Sequence, residues 1–157
     1  MKVKFICVGK TGKSFLAEGE AVYLKRLSHY ISVERIELPD IKNAKKLTEE
    51  QVKQKEGVAI LAKVSQGERL FLLDEKGHSY TSEAFADFMQ KQFNQGGVGV
   101  AFVVGGPYGF SPEVYQAATG KISLSKMTFS HQMIRMFFVE QLYRAMTILR
   151  NEPYHHG

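Results

Sequence analysis

The chain of 157 residues predicts an α/β fold with a mostly parallel sheet flanked by helices. Short runs rich in Val, Ile, Phe and Leu alternate with helix-like stretches from end to end. Helix start signals stand at Thr48 and at Ser111, between those runs. No internal repeat, low-complexity tract or linker interrupts the alternation, so residues 1–157 read as one domain.

In chain order, Lys2 to Val8 is the first strand candidate. It leads into Gly9-Lys10-Thr11-Gly12-Lys13-Ser14, read as a strand-to-helix turn with Ser14 or Thr11 as cap. The turn ends like a phosphate-binding loop, but Cys7 stands where that loop needs its first glycine. A nucleotide triphosphatase is excluded on that spacing. Ile31 to Leu38 is the second strand, and Pro39 to Lys46 an exposed loop. Thr48 and Gln51 form a capping box opening a helix to about Val64, with Val52, Val58, Leu61 and Ala62 on one face. Arg69 to Leu73 is the third strand, with Asp74 at its end. Val98 to Val104, the fourth, runs into Gly105-Gly106-Pro107-Tyr108-Gly109-Phe110. Glycines there either let the backbone approach a ligand or supply a turn needing positive φ. The motif lacks the spacing of a dinucleotide fingerprint. Ser111, Pro112 and Glu113 then supply a cap, a first-turn proline and a first-turn acid.

Lys121 to Ser125 is the last strand, and a polar loop carries it to a helix from about His131 to Arg150. Apolar residues occupy most of that helix's circumference, which calls for cover on more than one side and points to a second subunit. Loops after three strands, at Leu73, Gly105 and Ser125, would form one crevice at the carboxyl edge of a parallel sheet. The tail, Pro153-Tyr154-His155-His156, is stiff and aromatic for a frayed end.

Composition narrows the classes further. Lys and Arg number 21 against 16 Asp and Glu, an excess of +5. Residues 77–120 are net acidic at −2, whereas residues 121–157 carry +3 and residues 1–41 and 42–76 carry +2 each. A polyanion is therefore expected to meet the N-terminal part and the C-terminal helix and tail. Cys7 is the only cysteine, which excludes an internal disulfide and a thiolate zinc site and suits the cytoplasm. Adjacent histidines on a tail make a poor metal site, so no metal is expected. No apolar run is long enough to span a bilayer, so no membrane partner is expected.

The runs V-V-G-G-P-Y-G, S-L-S-K-M-T-F-S-H-Q, R-M-F-F-V-E-Q-L-Y-R-A and N-E-P-Y-H-H resemble the RlmH family of large-subunit rRNA pseudouridine N3-methyltransferases. The opening K-V-K-F-I-C-V-G-K and the central K-E-G-V-A-I-L extend the likeness over essentially the whole chain. The resemblance implies a SPOUT-class α/β fold with a trefoil knot near the C-terminus, although knots run against general topology rules. It further implies a cytoplasmic homodimer that uses S-adenosylmethionine to methylate N3 of a pseudouridine in a 23S rRNA stem-loop, on ribosomes or large subunits rather than DNA. Carried over by motif, the donor site comprises Leu73, Gly105, Leu124, Ser125, Lys126, Met127, Thr128 and Phe129. Tyr108, at a position that varies among relatives, receives no role. The acceptor's N3 proton must leave, which makes His131, Arg144, Tyr154 and His155 the catalytic candidates. Arg144 would stabilise charge, His131 or His155 would handle the proton and Tyr154 would fix the base. The rival reading is a non-catalytic RNA-binding or ribosome-associated dimer of the same fold.

Overall fold

A computed structural model describes residues 2–157. The chain runs β1 (Lys2–Val8), α1 (Ser14–Leu27), β2 (Ser32–Leu38), a 3₁₀ turn (Ala44–Lys46), α2 (Glu49–Leu61), β3 (Arg69–Ser79), α3 (Ser82–Gln95), β4 (Val100–Val104), α4 (Pro112–Ala117), β5 (Gly120–Ser123) and α5 (Met133–Leu149). The strands form one sheet in the order β2-β1-β4-β3-β5, and each neighbouring pair is parallel. Both faces are covered, as a parallel sheet with crossover helices requires. Val3, Phe5 and Cys7 of β1 and Val100, Phe102 and Val104 of β4 face α1, α3 and α5. Ile6 and Val8, with Ala101 and Val103, face α2 and α4. Burial pushes the Cys7 thiol up to about 12.

The Thr48–Gln51 capping box forms as expected, with both reciprocal bonds present. Ser111 caps α4 by accepting from the Val114 amide. The buried face of α2 differs from the expected one. Val52, Glu56, Gly57 and Ile60 point inward, whereas Val58 is 72% exposed and Leu61 and Ala62 are not buried. Gly57 sets that rotation: a Cβ there would lie 2.5 Å from Ser111 Oγ, so only a glycine lets α2 press on α4. β3 also outruns its expected end at Leu73. Its pairing with β5 slips between Leu73 and His78, and Gly77 lets the bulge ride against the Lys121–Ile122 backbone.

The first turn is capped by neither expected residue. Lys13 occupies the N-cap of α1 without a side-chain bond. Thr11 is buried and its hydroxyl donates to Glu20 Oε2 at 2.6 Å. An Asp40 carboxylate lies against Gly9, an unwelcoming neighbour for phosphate, in keeping with the rejected phosphate-loop reading.

The cover on α5 comes largely from its own chain. The sheet, α1 and α3 all pack on it, and no residue from Ile134 to Leu149 is fully exposed. Ile134, Met136, Phe137, Tyr143, Ile148 and Leu149 nonetheless remain partly exposed, so one chain does not cover the helix completely. Arg135 is 0% exposed at the start of this otherwise apolar helix. Its guanidinium donates to Val8 O and Gly9 O, each at 2.8 Å, to Thr11 Oγ1 at 3.1 Å and to His131 O, just before the helix, at 3.0 Å. Arg135→Met strands those acceptors and should lower the unfolding free energy by about 3 kcal/mol in urea titrations. Cys7 should stay unreactive toward a thiol reagent in the native protein and react only on unfolding.

Candidate functional site

The bulge of β3 and the carboxyl ends of β4 and β5 open into one cleft of about 370 Å³. The geometry follows from the crossovers. α3 carries β3 to β4 on one face of the sheet, and α4 carries β4 across β3 to β5 on the other, so the loops part above the strand ends. Leu73, Gly105, Leu124, Ser125, Met127, Thr128 and Phe129 all line the cleft, together with His131. Lys126, expected with them, is exposed and does not line it.

The loop after β5 is held by local bonds. Ser123 Oγ donates to Ser125 O at 2.7 Å, and Ser125 Oγ accepts from the Met127 amide at 3.0 Å. Thr128 Oγ1 donates to Glu75 Oε2 at 2.5 Å, which closes the loop over the bulge of β3. Across the cleft, Tyr115 donates to Asp74 Oδ2 at 2.7 Å. Burial and then that carboxylate push the Tyr115 phenol up to about 12. Glu75 and Tyr115 gave no signal in the sequence, because their partners lie 53 and 41 residues away.

The two central glycines line the cleft with backbone and are packed from behind by the protein's own side chains. A Cβ on Gly105 would lie 2.9 Å from the Phe110 ring, and one on Gly106 would lie 2.6 Å from Glu56 Oε2. Their bareness makes room for the protein's own side chains. Positive φ in this turn falls only on Gly109, at 86°.

The four catalytic candidates divide into two places. His131 is half-buried at the cleft wall. Burial foremost, and then the Arg135 cation, hold its imidazole below the usual value, with Asp40 opposing. Arg144, Tyr154 and His155 sit together farther along α5. Arg144 is ion-paired with Glu140 and lies over the Tyr154 ring, 4.7 Å from its centroid. Tyr154 OH donates to Glu140 Oε1 at 3.0 Å. Arg144 can only donate, so its contact with His155 Nδ1 at 3.1 Å leaves the proton on Nε2, which donates to Glu83 at 2.8 Å. The tail is therefore docked on its own helix rather than frayed. Between the two groups runs a pocket of about 250 Å³ that shares Leu124 and Phe129 with the cleft and reaches Glu140.

The chain matches a family model described as "Predicted SPOUT methyltransferase" over residues 1–155. Three curated relatives are named "Ribosomal RNA large subunit methyltransferase H". That of Christiangramia forsetii is 54% identical, that of Parabacteroides distasonis 55% and that of Flavobacterium johnsoniae 54%. Each alignment spans 156 residues, 99% of this chain and 99% of the relative.

Tyr154→Ala removes the ring beneath Arg144 and the bond to Glu140. Carboxypeptidase should then trim the last residues faster than in the wild type, while the urea midpoint shifts by no more than about 1 kcal/mol equivalent.

Proposed function

The chain belongs to the SPOUT methyltransferase family, and from that premise we propose that residues 1–157 act as one S-adenosylmethionine-dependent domain. It methylates N3 of a pseudouridine in a 23S rRNA stem-loop of the large subunit or ribosome. The observation that supports the reading best is the union of Leu73, Gly105 and the Leu124–Phe129 loop in one cleft. The lining suits a cationic, adenine-bearing donor. Asp74 and Glu75 outweigh the one lysine of the lining, Lys76, and Leu73, Met127, Phe129 and Ile134 offer apolar walls. No group of three or more His, Cys, Asp or Glu that could hold a metal occurs among the described residues, and the reaction as proposed uses none.

When bound, the donor supplies a methyl group on a sulfonium that leaves as a neutral thioether, so alignment dominates catalysis. The N3–carbon bond forms as the sulfur–carbon bond breaks, and the N3 proton passes to a base. His131 fills that role. Its lowered basicity keeps the imidazole neutral near pH 7, and it lines the cleft. His155 is less available, because both its ring nitrogens are engaged by Arg144 and Glu83. Arg144 stabilises the negative charge that develops on the ring, and Tyr154 fixes the base.

The tail cluster and the cleft come together across a cytoplasmic homodimer in which each cluster serves the partner's cleft. The same class of fold carries a trefoil knot through the β5–α5 loop. The rRNA backbone rests on exposed Lys10, Lys13, Lys42, Lys45 and Lys46, which make no ion pairs among the described residues and follow the carboxyl ends of β1 and β2. The sheet's carboxyl edge thus carries both the donor and the polyanion.

Calorimetry with S-adenosylmethionine should show binding; none would favour the non-catalytic rival. Tyr154→Ala and His155→Ala should bind the donor normally yet lose about a hundredfold in methylation of ribosomal particles. Full activity in both would refute the tail's role. Mixing Leu124→Arg subunits with Tyr154→Ala subunits should restore activity, since one mixed site is intact; a tail acting on its own cleft gives no recovery. The acid limb of kcat/KM should fall below the usual histidine range and vanish in His131→Ala.

A further inference from the structure

The K-E-G-V-A-I-L run in α2 has no part in the reaction above, yet its acid lies directly behind the donor cleft. Glu56 is only 6% exposed. Its carboxyl fills the space beneath Gly106, so that a Cβ there would stand 2.6 Å from Oε2 and 2.9 Å from Oε1. The Gly106 amide faces the carboxyl and favours its charged form, while Oε1 is buried with no hydrogen-bond partner among the described residues. A buried polar atom left unpaired in a packed interior is costly, and an ionised one far more so. Neighbouring Gly57 is pressed on Ser111 and Val114 of the α4 start, so α2 sits as close to this region as its backbone allows.

We propose that Glu56 is a positioning residue for the donor cleft: its carboxyl, lodged under the Gly105–Gly106 turn, sets the height at which that backbone faces S-adenosylmethionine. The inference rests on the reading of the cleft as the donor site. Burial foremost, and then Asp40 on the loop after β2, raise the Glu56 acid above the usual carboxylate range, opposed by the Gly106 amide. Asp40 is the one charged group that acts on it appreciably; α4 brings only the Ser111 hydroxyl nearby and β1 an apolar face. Protonated, the side chain stays lodged and the turn stays in place. Ionised, it sits as a second negative charge beside Asp40 in apolar surroundings, a cost that the Gly106 amide offsets only in part, and the side chain is driven to leave the space. The turn then loses its support from below.

A folded-state value above the unfolded one means that stability falls as pH rises from the ordinary carboxyl value through the raised one. The wild type should therefore lose stability in urea over that window, and Glu56→Gln should not.

The deciding experiment is calorimetric titration of S-adenosylmethionine into wild type, Glu56→Gln and Glu56→Ala from about pH 5 to about pH 9. The donor's own amino group titrates alike in all three, so the comparison between proteins carries the result. Wild-type affinity should weaken by about tenfold relative to Glu56→Gln as pH rises. Glu56→Ala should bind about tenfold more weakly than wild type at the acidic end. Parallel pH profiles for wild type and Glu56→Gln would overturn the proposal, and these two decide it even where Glu56→Ala fails to fold. A wild type that binds no donor at any pH overturns the donor reading itself.

Discussion

The guanidinium of Arg135 is the interaction on which the carboxyl edge of the sheet depends. It is wholly buried, and its donors are spent on backbone carbonyls and one hydroxyl rather than on a carboxylate of its own. Burial pushes the guanidinium below its usual value, with Arg35 adding to the effect and Glu20 and Glu37 opposing it. A buried cation is tolerable only with every donor placed, and here the acceptors come from the turn that ends β1. The start of α5 is thereby fixed against residues 126 and 127 positions earlier in the chain. Gln132 repeats the tie on the surface, accepting from the Gly12 amide and donating to Lys10 O. His131 stands beside both contacts and its carbonyl accepts from Arg135 Nε, so its place on the cleft wall is set through its backbone.

Local signals were legible in the sequence where the physics is local. All five strands, the Thr48–Gln51 box and the Ser111 cap need only neighbouring residues, and apart from the far end of β3 they form within a few residues of where the pattern puts them. The gathering of three strand-end loops was legible too, since it follows from parallel topology. What escaped was set by distant partners. The rotation of α2 depends on Gly57 meeting Ser111, the length of β3 on Gly77 meeting Ile122, and the fate of Thr11 on Glu20 and Arg135. The tail looked like a surface end because nothing in Pro153-Tyr154-His155 names Glu140, Arg144 or Glu83 as its hosts.

Glycine in this chain acts mainly by leaving room. Gly105 yields to Phe110, Gly106 to Glu56, Gly57 to Ser111 and Gly19 to Met136. Each absent side chain is occupied by another element's side chain, so the cleft floor is a packed interior. Such a floor holds its loops with little freedom, which suits a reaction governed by alignment. It also means that substitutions at these positions act first on packing and only through it on any ligand.

The central pair of the sheet joins Val3 of β1 to Val100 of β4, and β2 hangs on β1 alone. Neither neighbour can complete the core until nearly two-thirds of the chain is available, and the Arg135 tie needs most of the remainder. Non-local closure of this kind makes folding slow relative to helical proteins of equal size. During synthesis, β1 leaves the ribosome with its apolar edge unpaired, dependent on protection from aggregation until β4 arrives. The cleft draws its lining from Leu73 through Ile134, so it exists only once three separate loops and the start of α5 have all been made.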